Sequence, residues 1–186
     1  MDTTTLLLER RSHGKVSGPE PTREQLELMY RAALRAPDHK SLAPFRFVEL
    51  KGKGRERLGE LCVHAEKSRK PESSEEHLQS IRDKCLRAPV IIAVIAKVQD
   101  NPKVPRVEQV VTAGCAAQAM LYAAYAEGLG AMWRTGDFAY HPAVREAFGL
   151  TPMDELVGFL YIGQKVGEDK TVHSLDPADF VDHWDA

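Results

Sequence analysis

The stretch "VIIAVIAKV", residues 90–98, constrains the fold of this chain more than any other segment. It is an uninterrupted run of β-branched and small apolar residues that follows Pro89. A strand with one face in water alternates apolar and polar residues, whereas a continuous apolar run is typical of a strand buried on both faces. The chain must therefore cover this strand on two sides, which predicts a sheet surrounded by helices.

Other patterns predict the elements around this strand. "FRFVEL", residues 45–50, alternates and is rich in aromatic residues, which predicts a second strand. Thr22 with Gln25 three residues later is a capping box, which predicts the start of a helix. Further strands are predicted over 130–136 and 156–164, and further helices over 3–11, 55–85 with a break near Pro71, 105–128 and 142–149. This order predicts an α+β chain that forms a single domain over residues 1–186, with 55–85 as its most exposed part.

Composition excludes several classes of function. The formal net charge is −2, whereas nucleic-acid-binding domains usually carry a basic excess. No window approaches the roughly 18 apolar residues of a membrane span, and the N-terminus lacks the features of a signal peptide. The three cysteines form no CxxC pair, so we expect them to be reduced and mostly buried. We therefore expect a cytoplasmic protein that binds neither nucleic acid nor membranes.

Familiar catalytic motifs are missing from the sequence. No GxGxxG follows a predicted strand, and no P-loop, HExxH or GxSxG motif occurs. The seven histidines are scattered without metal-ligand spacing, so we expect no metal site.

Three polar clusters are candidates for binding a ligand. Arg10, Arg11 and Ser12 follow the first predicted helix, and arginine forks match phosphate oxygens. Cations at the end of a helix also balance its dipole, and this explanation is favoured for the cluster taken alone.

The second cluster is the loop "RAPDHKSLAPFRF", residues 35–47, where Arg35, His39 and Ser41 stand between a helix and a strand. Its alternative explanation is a solvated loop. The third is Trp133-Arg134-Thr135, after the long small-residue helix; tryptophan and arginine are enriched at binding sites, but the pair also fits simple packing. Together the three clusters suit a ligand with a phosphate, a polyol and a polar ring edge.

The chain resembles the nitroreductase family of FMN enzymes, and most closely its compact bacterial branch, the YdjA-type NAD(P)H nitroreductases. Five segments carry this resemblance, in the family's order and across nearly the whole chain: "LLLERRS" (6–12), "APDHKSLAPFRF" (36–47), "KVPRVEQ" (103–109), "AGCAAQAMLYAAYAEGLGAMWRTG" (113–136) and "VGFLYIG" (157–163). The resemblance implies an α+β nitroreductase-like fold with a central mixed, mostly antiparallel sheet of four to five strands flanked by helices. It also implies a homodimer with FMN at the subunit interface.

The resemblance further implies where FMN and its electron donor bind. Nine residues would contact FMN, some of them across the dimer interface: Arg10, Arg11, Ser12, Arg35, His39, Ser41, Trp133, Arg134 and Thr135. Six residues would lie near the nicotinamide: Ala123, Ala124, Tyr125, Ala126, Glu127 and Gly128. Where this chain has Asp38, Ser41 and Ala43-Pro44-Phe45, broader family members often carry Ser, Asn and Gln-Pro-Trp.

The implied activity is a ping-pong transfer of hydride from NAD(P)H through flavin N5 to a nitroaromatic, quinone or similar acceptor. No catalytic side chain is implied, because the flavin carries the chemistry. Two alternatives remain open: another flavin-dependent activity of the same fold (enone reduction, dehalogenation or dehydrogenation), and a flavin-binding carrier without turnover. A flavin-free interaction module built on 55–85 leaves the three polar clusters unexplained.

Overall fold

The computed structural model describes residues 1–169, 171–172 and 174–184 of the chain. The helices are α1 (Thr3–Glu9), α2 (Arg23–Ala33), α3 (Lys53–Arg69), α4 (Glu75–Cys85), α5 (Arg106–Ala126), α6 (Asp137–Tyr140) and α7 (Pro142–Ala147), with 3₁₀ turns at His39–Ser41 and Pro177–Asp179. The strands are β1 (Val16–Ser17), β2 (Phe45–Leu50), β3 (Val90–Ala96), β4 (Gly130–Arg134) and β5 (Glu155–Lys165). None of the helices in these ranges is both long and apolar enough to cross a membrane.

The five strands form a sheet in which β3 lies between β2 and β5. The other edge of β5 pairs with β4 and, beyond it, with the short β1. Every pairing between these described strands is antiparallel, which confirms the predicted α+β fold and mostly antiparallel sheet of four to five strands. The parallel pair that a mixed sheet would contain does not occur among them. Strand β1 and helix α6 were not predicted, because a two-residue strand and a one-turn helix carry no periodic pattern.

Strand β3 is buried along its whole length, as its composition predicts. Val90, Ile92 and Val94 pack into one hydrophobic core with residues of α2 and α5. The alternate residues of β3, including Ile91 and Ile95, pack into a second core with residues of α3, α4 and α7. The sheet therefore has a helix layer on each face, and β3 belongs to both cores.

The hairpin of α3 and α4 is the second of these layers, so the expectation that 55–85 is the most exposed part of the chain was wrong. Its apolar residues recur at helical spacing, and their buried members are Leu58, Cys62, Val63, Ala65, Leu78, Ile81 and Cys85. The helices pack closely, since a Cβ on Gly59 would lie 3.4 Å from the Cα of Arg82. The break near Pro71 is confirmed as the turn between the two helices.

A β-bulge in β5 positions the tryptophan of β4. The register between β3 and β5 shifts between Val94, which faces Gly158, and Ile95, which faces Leu156. Gly158 has φ of +153°, and a Cβ there would lie 2.3 Å from Nε1 of Trp133. The indole therefore occupies the space that a side chain at Gly158 would fill.

A buried carboxylate joins the loop after β3 to the turn before β5. Asp154 is fully buried and accepts hydrogen bonds from Lys97 Nζ (2.6 Å), the Val98 backbone (3.0 Å) and the backbone and hydroxyl of Thr151 (2.8 and 2.9 Å). Burial by itself would raise the pKa of Asp154, but these hydrogen bonds outweigh it and hold the pKa below its usual value.

Replacing Gly158 with alanine should displace the Trp133 indole, because both cannot occupy the same space. We expect a loss of ~2 kcal/mol in the free energy of unfolding, as is typical of overpacking, and a shift in tryptophan emission. Gly149→Ala is a matched control, since Gly149 also has positive φ but has nothing within 4 Å of its Cβ position. Equal stability of the two variants would contradict the steric argument.

Asp154→Asn should destabilise the protein by about 2–3 kcal/mol at pH 7, because a buried set of donors loses its charged acceptor. The folded state holds the pKa of Asp154 below that of the unfolded chain, so its stabilisation is complete above about pH 4 and is lost as the pH falls further. Urea unfolding measured at a series of acidic pH values should thus show that the free energy of unfolding falls less with acid in the variant than in the wild type. An identical pH dependence in both proteins would refute this role.

Candidate functional site

A cavity of about 570 Å³ opens where β4 ends, against the α3–α4 hairpin. Its wall on the sheet side is formed by the consecutive residues Met132–Asp137 and by Phe159 and Tyr161 of β5. A volume of this size is typical of small-molecule and cofactor sites. The predicted site residues Trp133, Arg134 and Thr135 therefore all line one cavity.

Hydrogen bonds and ring contacts fix the orientation of two of these residues. Trp133 Nε1 donates to the Val157 carbonyl at 3.2 Å. The Arg134 guanidinium lies over the Tyr161 ring, 5.5 Å from its centroid, and donates to the Gly14 carbonyl at 3.4 Å. Arg134 thereby connects the cavity wall to the loop that follows the predicted phosphate-binding residues.

Two thiols and a phenol form the floor of the cavity. The hydrogen bond from Cys62 lowers the pKa of the Cys85 thiol, and the nearby charges of Arg87 and Lys84 act in the same direction. The same hydrogen bond, together with burial, raises the pKa of Cys62. Burial raises the pKa of Tyr161. All three cysteines of the chain are free.

The rim of the cavity is rich in cations. Two of them are neutralised: Arg69 pairs with Asp137 at 2.9 Å, and Lys70 lies 3.8 Å from Glu66. Lys84 and Arg87 also line the cavity, and neither forms an ion pair with a carboxylate among the described residues. The cavity therefore carries uncompensated positive charge, which favours a ligand with negative charge or an electron-rich polar edge.

Arg10, Arg11 and Ser12 lie beside β4, at the C-terminal end of α5. The next residue, His13, is buried and donates its backbone N–H to Ala131 of β4 at 2.9 Å. The Arg10 guanidinium lies over the Tyr122 ring of α5 at 6.0 Å, and Arg11 Nε donates to the Glu9 carbonyl at 3.0 Å. Ser12 is exposed and lines a second, smaller cavity.

Arg35, His39 and Ser41 lie elsewhere, near the N-terminal end of α5. All three are exposed, and His39 Nδ1 donates to Glu108 Oε2 of α5 at 2.7 Å. Thr112 of α5 donates to the Pro37 carbonyl at 2.9 Å, which attaches the loop to the helix.

The backbone of this loop is unusual. Lys40, Ser41 and Ala43 have φ of 65°, 52° and 47°, a conformation that non-glycine residues rarely adopt and that clusters at functional sites. Asp38 holds the loop in this shape, because its carboxylate accepts the backbone N–H groups of Leu42 at 3.2 Å and Ala43 at 2.7 Å. Asp38 thus organises the loop through hydrogen bonds within it.

One chain does not bring the two clusters together. Glu108, which binds His39, and Tyr122, which lies under Arg10, are fourteen residues apart on α5. At 1.5 Å per residue the two clusters are separated by roughly 21 Å along the helix. The cavity wall contacts the loop after the first cluster through Arg134 and Gly14, and Trp133 of the same wall lies 4.0 Å from the Cβ position of Gly114 on α5.

The predicted nicotinamide segment spans the end of α5. Ala123, Ala124 and Tyr125 are buried at 8, 0 and 5% exposure, and their side chains are therefore withdrawn from solvent. Ala126, Glu127 and Gly128 are exposed. The accessible part of the segment is its last three residues, and its nicotinamide role stays a prediction.

Sequence reasoning missed the whole hairpin side of the cavity. The residues concerned are Leu58, Cys62, Glu66, Arg69, Lys70, His77, Ile81, Lys84, Cys85 and Arg87. The helical spacing of the apolar residues among them was a usable signal for a packed helix pair. Nothing in the sequence places that pair opposite β4, however, because this requires the tertiary fold.

Comparison with known proteins agrees with this architecture. The family model for the nitroreductase family matches residues 7–164. The chain is 43% identical, over 99% of its length and 100% of the relative, to the Escherichia coli (strain K12) protein named "Putative NAD(P)H nitroreductase YdjA". It is 36% identical, over 97% of its length and 98% of the relative, to a Haemophilus influenzae protein named "Putative NAD(P)H nitroreductase".

Solved structures share the fold. A nitroreductase-like family protein from Bacillus cereus matches with a TM-score of 0.85 and 23% identity, covering 100% of this chain and 97% of the other. A Desulfovibrio desulfuricans nitroreductase homologue solved in complex with FMN matches with a TM-score of 0.71 and 19% identity, covering 97% of this chain and 95% of the other. The family match and the near-full-length identity confirm the resemblance seen in the sequence, and this chain belongs to the nitroreductase family.

Proposed function

We propose that this protein is an FMN-dependent oxidoreductase that passes hydride from NAD(P)H to a nitroaromatic, quinone or similar acceptor. The observation that carries the proposal is the cavity at the end of β4, which Trp133, Arg134 and Thr135 line and which holds unpaired positive charge. Membership of the nitroreductase family and the name of the Escherichia coli relative support the same activity.

The residues of the cavity fit a flavin. The flavin ring has a broad apolar body and a polar edge, and its reduced form carries negative charge. Phe159, Met132 and Ile81 supply apolar walls, whereas Lys84 and Arg87 supply unpaired cations. When bound, FMN would supply the capacity to accept a hydride from the donor and release it to the acceptor.

The chain's own residues would bind and orient this cofactor. Arg10, Arg11 and Ser12 would hold the phosphate and ribityl chain, since guanidinium groups match phosphate oxygens. Arg134 contacts the loop after Ser12 and also lines the cavity, so it would connect the two parts of the site. The exposed end of α5, Ala126–Gly128, would face the nicotinamide donor.

A second copy of the chain would complete the site. Arg35, His39 and Ser41 lie roughly 21 Å along α5 from the Arg10 cluster, so one chain cannot place both around one ligand. If two copies pack with their α5 helices antiparallel about a two-fold axis, the His39 end of one helix meets the Arg10 end of the other. Two-fold dimers are the commonest closed oligomers, and this one would contain two equivalent sites.

The exposed face of α5 suits such a contact. Val107 and Val111 are 64 and 58% exposed although they are apolar. The half-buried residues Gly114, Gln118 and Tyr122 continue the same face towards the Arg10 end at helical spacing. Small and apolar residues along one face allow close packing against another helix.

We also propose that residues 1–186 form one domain that acts in the cytoplasm. The two hydrophobic cores share β3, which supports a single folding unit. Three free cysteines, two of them buried, fit a reducing compartment.

The purified protein should show flavin absorption near ~450 nm that bleaches when NADPH or NADH is added without oxygen. Bleaching is expected because the donor and the cofactor would share the open cavity at β4. A flavin that is bound but stays oxidised with both donors would favour the carrier alternative. Absence of flavin after incubation with excess FMN would overturn the proposed function.

Val111→Asp should convert the dimer to a monomer and weaken FMN retention at least 10-fold, because the charge would be buried in the interface and the partner's loop would be lost. Light scattering and FMN titration measure the two effects. Leu86→Asp is the matched control, since Leu86 is also exposed but lies at the end of α4 in the other helix layer. A wild-type protein with monomeric mass, or a monomeric variant that retains FMN, would contradict the shared site.

A further inference from the structure

We propose that His77, held by the buried carboxylate of Glu66, donates the proton that the electron acceptor needs when it is reduced in this cavity. The inference rests on the proposed function and adds to it a catalytic side chain, which the family resemblance does not imply.

The two side chains form a carboxylate–imidazole pair. Nε2 of His77 lies 3.0 Å from Oε1 of Glu66, and a carboxylate can only accept, so Nε2 carries the shared proton. The Nδ1 atom is then the nitrogen that gains and loses a proton. Pairing with a carboxylate orients an imidazole, as in other acid–base dyads.

The exposure of the pair suits proton transfer. The Glu66 side chain is only 6% exposed, whereas that of His77 is 47% exposed. A buried carboxylate is costly unless it is paired, and here its described partners are His77 and Lys70, at 3.0 and 3.8 Å. His77 can therefore reach solvent for a fresh proton while Glu66 keeps the ring fixed.

The pair faces the same cavity as the predicted flavin residues. Both His77 and Glu66 line it, together with Trp133 and Thr135 on the opposite wall. His77 sits in the first turn of α4, and its backbone N–H is capped by the Ser74 hydroxyl at 3.2 Å. The imidazole is thus attached to a rigid helix start and not to a mobile loop.

The reduction of the acceptor requires a proton, which a positioned side chain can supply. Reduction of a nitro group to a nitroso group takes up one hydride and one proton: R–NO₂ + H⁻ + H⁺ → R–NO + H₂O. One N–O bond breaks, and the oxygen leaves as water only if it is protonated. A quinone likewise takes up one hydride and one proton to become a hydroquinone. Positioned general acids typically accelerate such steps by 10²–10⁴-fold.

Several charged and titratable groups surround the imidazole on the elements that line the cavity. The charged and titratable groups of the cavity and of the first turn of α4 are Glu66, Arg69, Lys70, Glu75, Glu76, Lys84, Arg87, Arg134, Asp137, Cys62, Cys85 and Tyr161. Glu66 is the one of these carboxylates that bonds directly to the ring.

The test follows reoxidation of the reduced FMN enzyme by two acceptors in stopped flow. A nitroaromatic needs a proton with its electrons, whereas ferricyanide accepts electrons without one. In His77→Gln, which keeps a hydrogen-bond donor for Glu66, we expect the nitroaromatic rate to fall at least 10-fold and the ferricyanide rate to stay within twofold. The wild-type nitroaromatic rate should also fall as the pH rises through the range in which imidazole loses its proton, and the variant should lose this dependence.

Two further variants separate catalysis from structure. Glu66→Gln should lower the nitroaromatic rate, because the imidazole loses the carboxylate that orients it, without changing ferricyanide reduction, as expected of a positioning residue. His64→Gln should change nothing, because His64 is exposed on α3 and is not part of the cavity. In the FMN-free protein, 4-nitrobenzoate should protect His77 but not His64 from diethyl pyrocarbonate, which mass spectrometry detects.

An unchanged nitroaromatic rate and pH profile in His77→Gln, or equal loss with both acceptors, would overturn the inference. A wild-type protein that binds no FMN would overturn both this inference and the proposed function. FMN binding by the wild type is therefore measured before any variant is made. If neither NADPH nor NADH reduces the flavin, the proposed electron donor is wrong. Dithionite can then reduce the flavin instead, and the comparison of the two acceptors still tests the role of His77.

Discussion

The burial of β3 on both faces is the constraint on which the rest of the structure depends. Alternate residues of one seven-residue strand enter two different cores, so neither helix layer can be lost without exposing half of the strand. Burial of apolar surface is the largest favourable contribution to folding. The chain would therefore lose much of its stability if either helix layer separated from the sheet. The cavity lies between the end of β4 and this second layer, α3 and α4.

Helix α5 has a different part in the architecture. Its buried face stabilises the first core, whereas its exposed face carries Val107 and Val111 and has one of the predicted ligand-binding clusters at each end. One helix can do both, because its small buried residues pack against the sheet while its opposite side would face a second copy. The distance between its ends is what makes the proposed site a property of two chains.

Much of the framework follows from the sequence. The Thr22–Gln25 capping box, the alternation of 45–50 and the apolar run at β3 each occur as predicted, because each depends on local chemistry. Residues 133–135 could be singled out as site residues, but their shared cavity could not be foreseen, since its opposite wall comes from helices more than forty residues earlier. The hydrogen bond between Glu66 and His77 joins two helices, so it cannot be recognised from the spacing of residues in the sequence.

The α3–α4 hairpin has a consequence for how such proteins diverge. Strands β2 and β3, which flank it in the chain, pair directly from Phe45 opposite Ala96 to Leu50 opposite Ile91. The hairpin is therefore an excursion that leaves and re-enters the sheet at adjacent strands, and its length is independent of strand register. Evolution can exchange this unit, and with it the chemistry of one cavity wall, while the sheet and α5 are inherited unchanged.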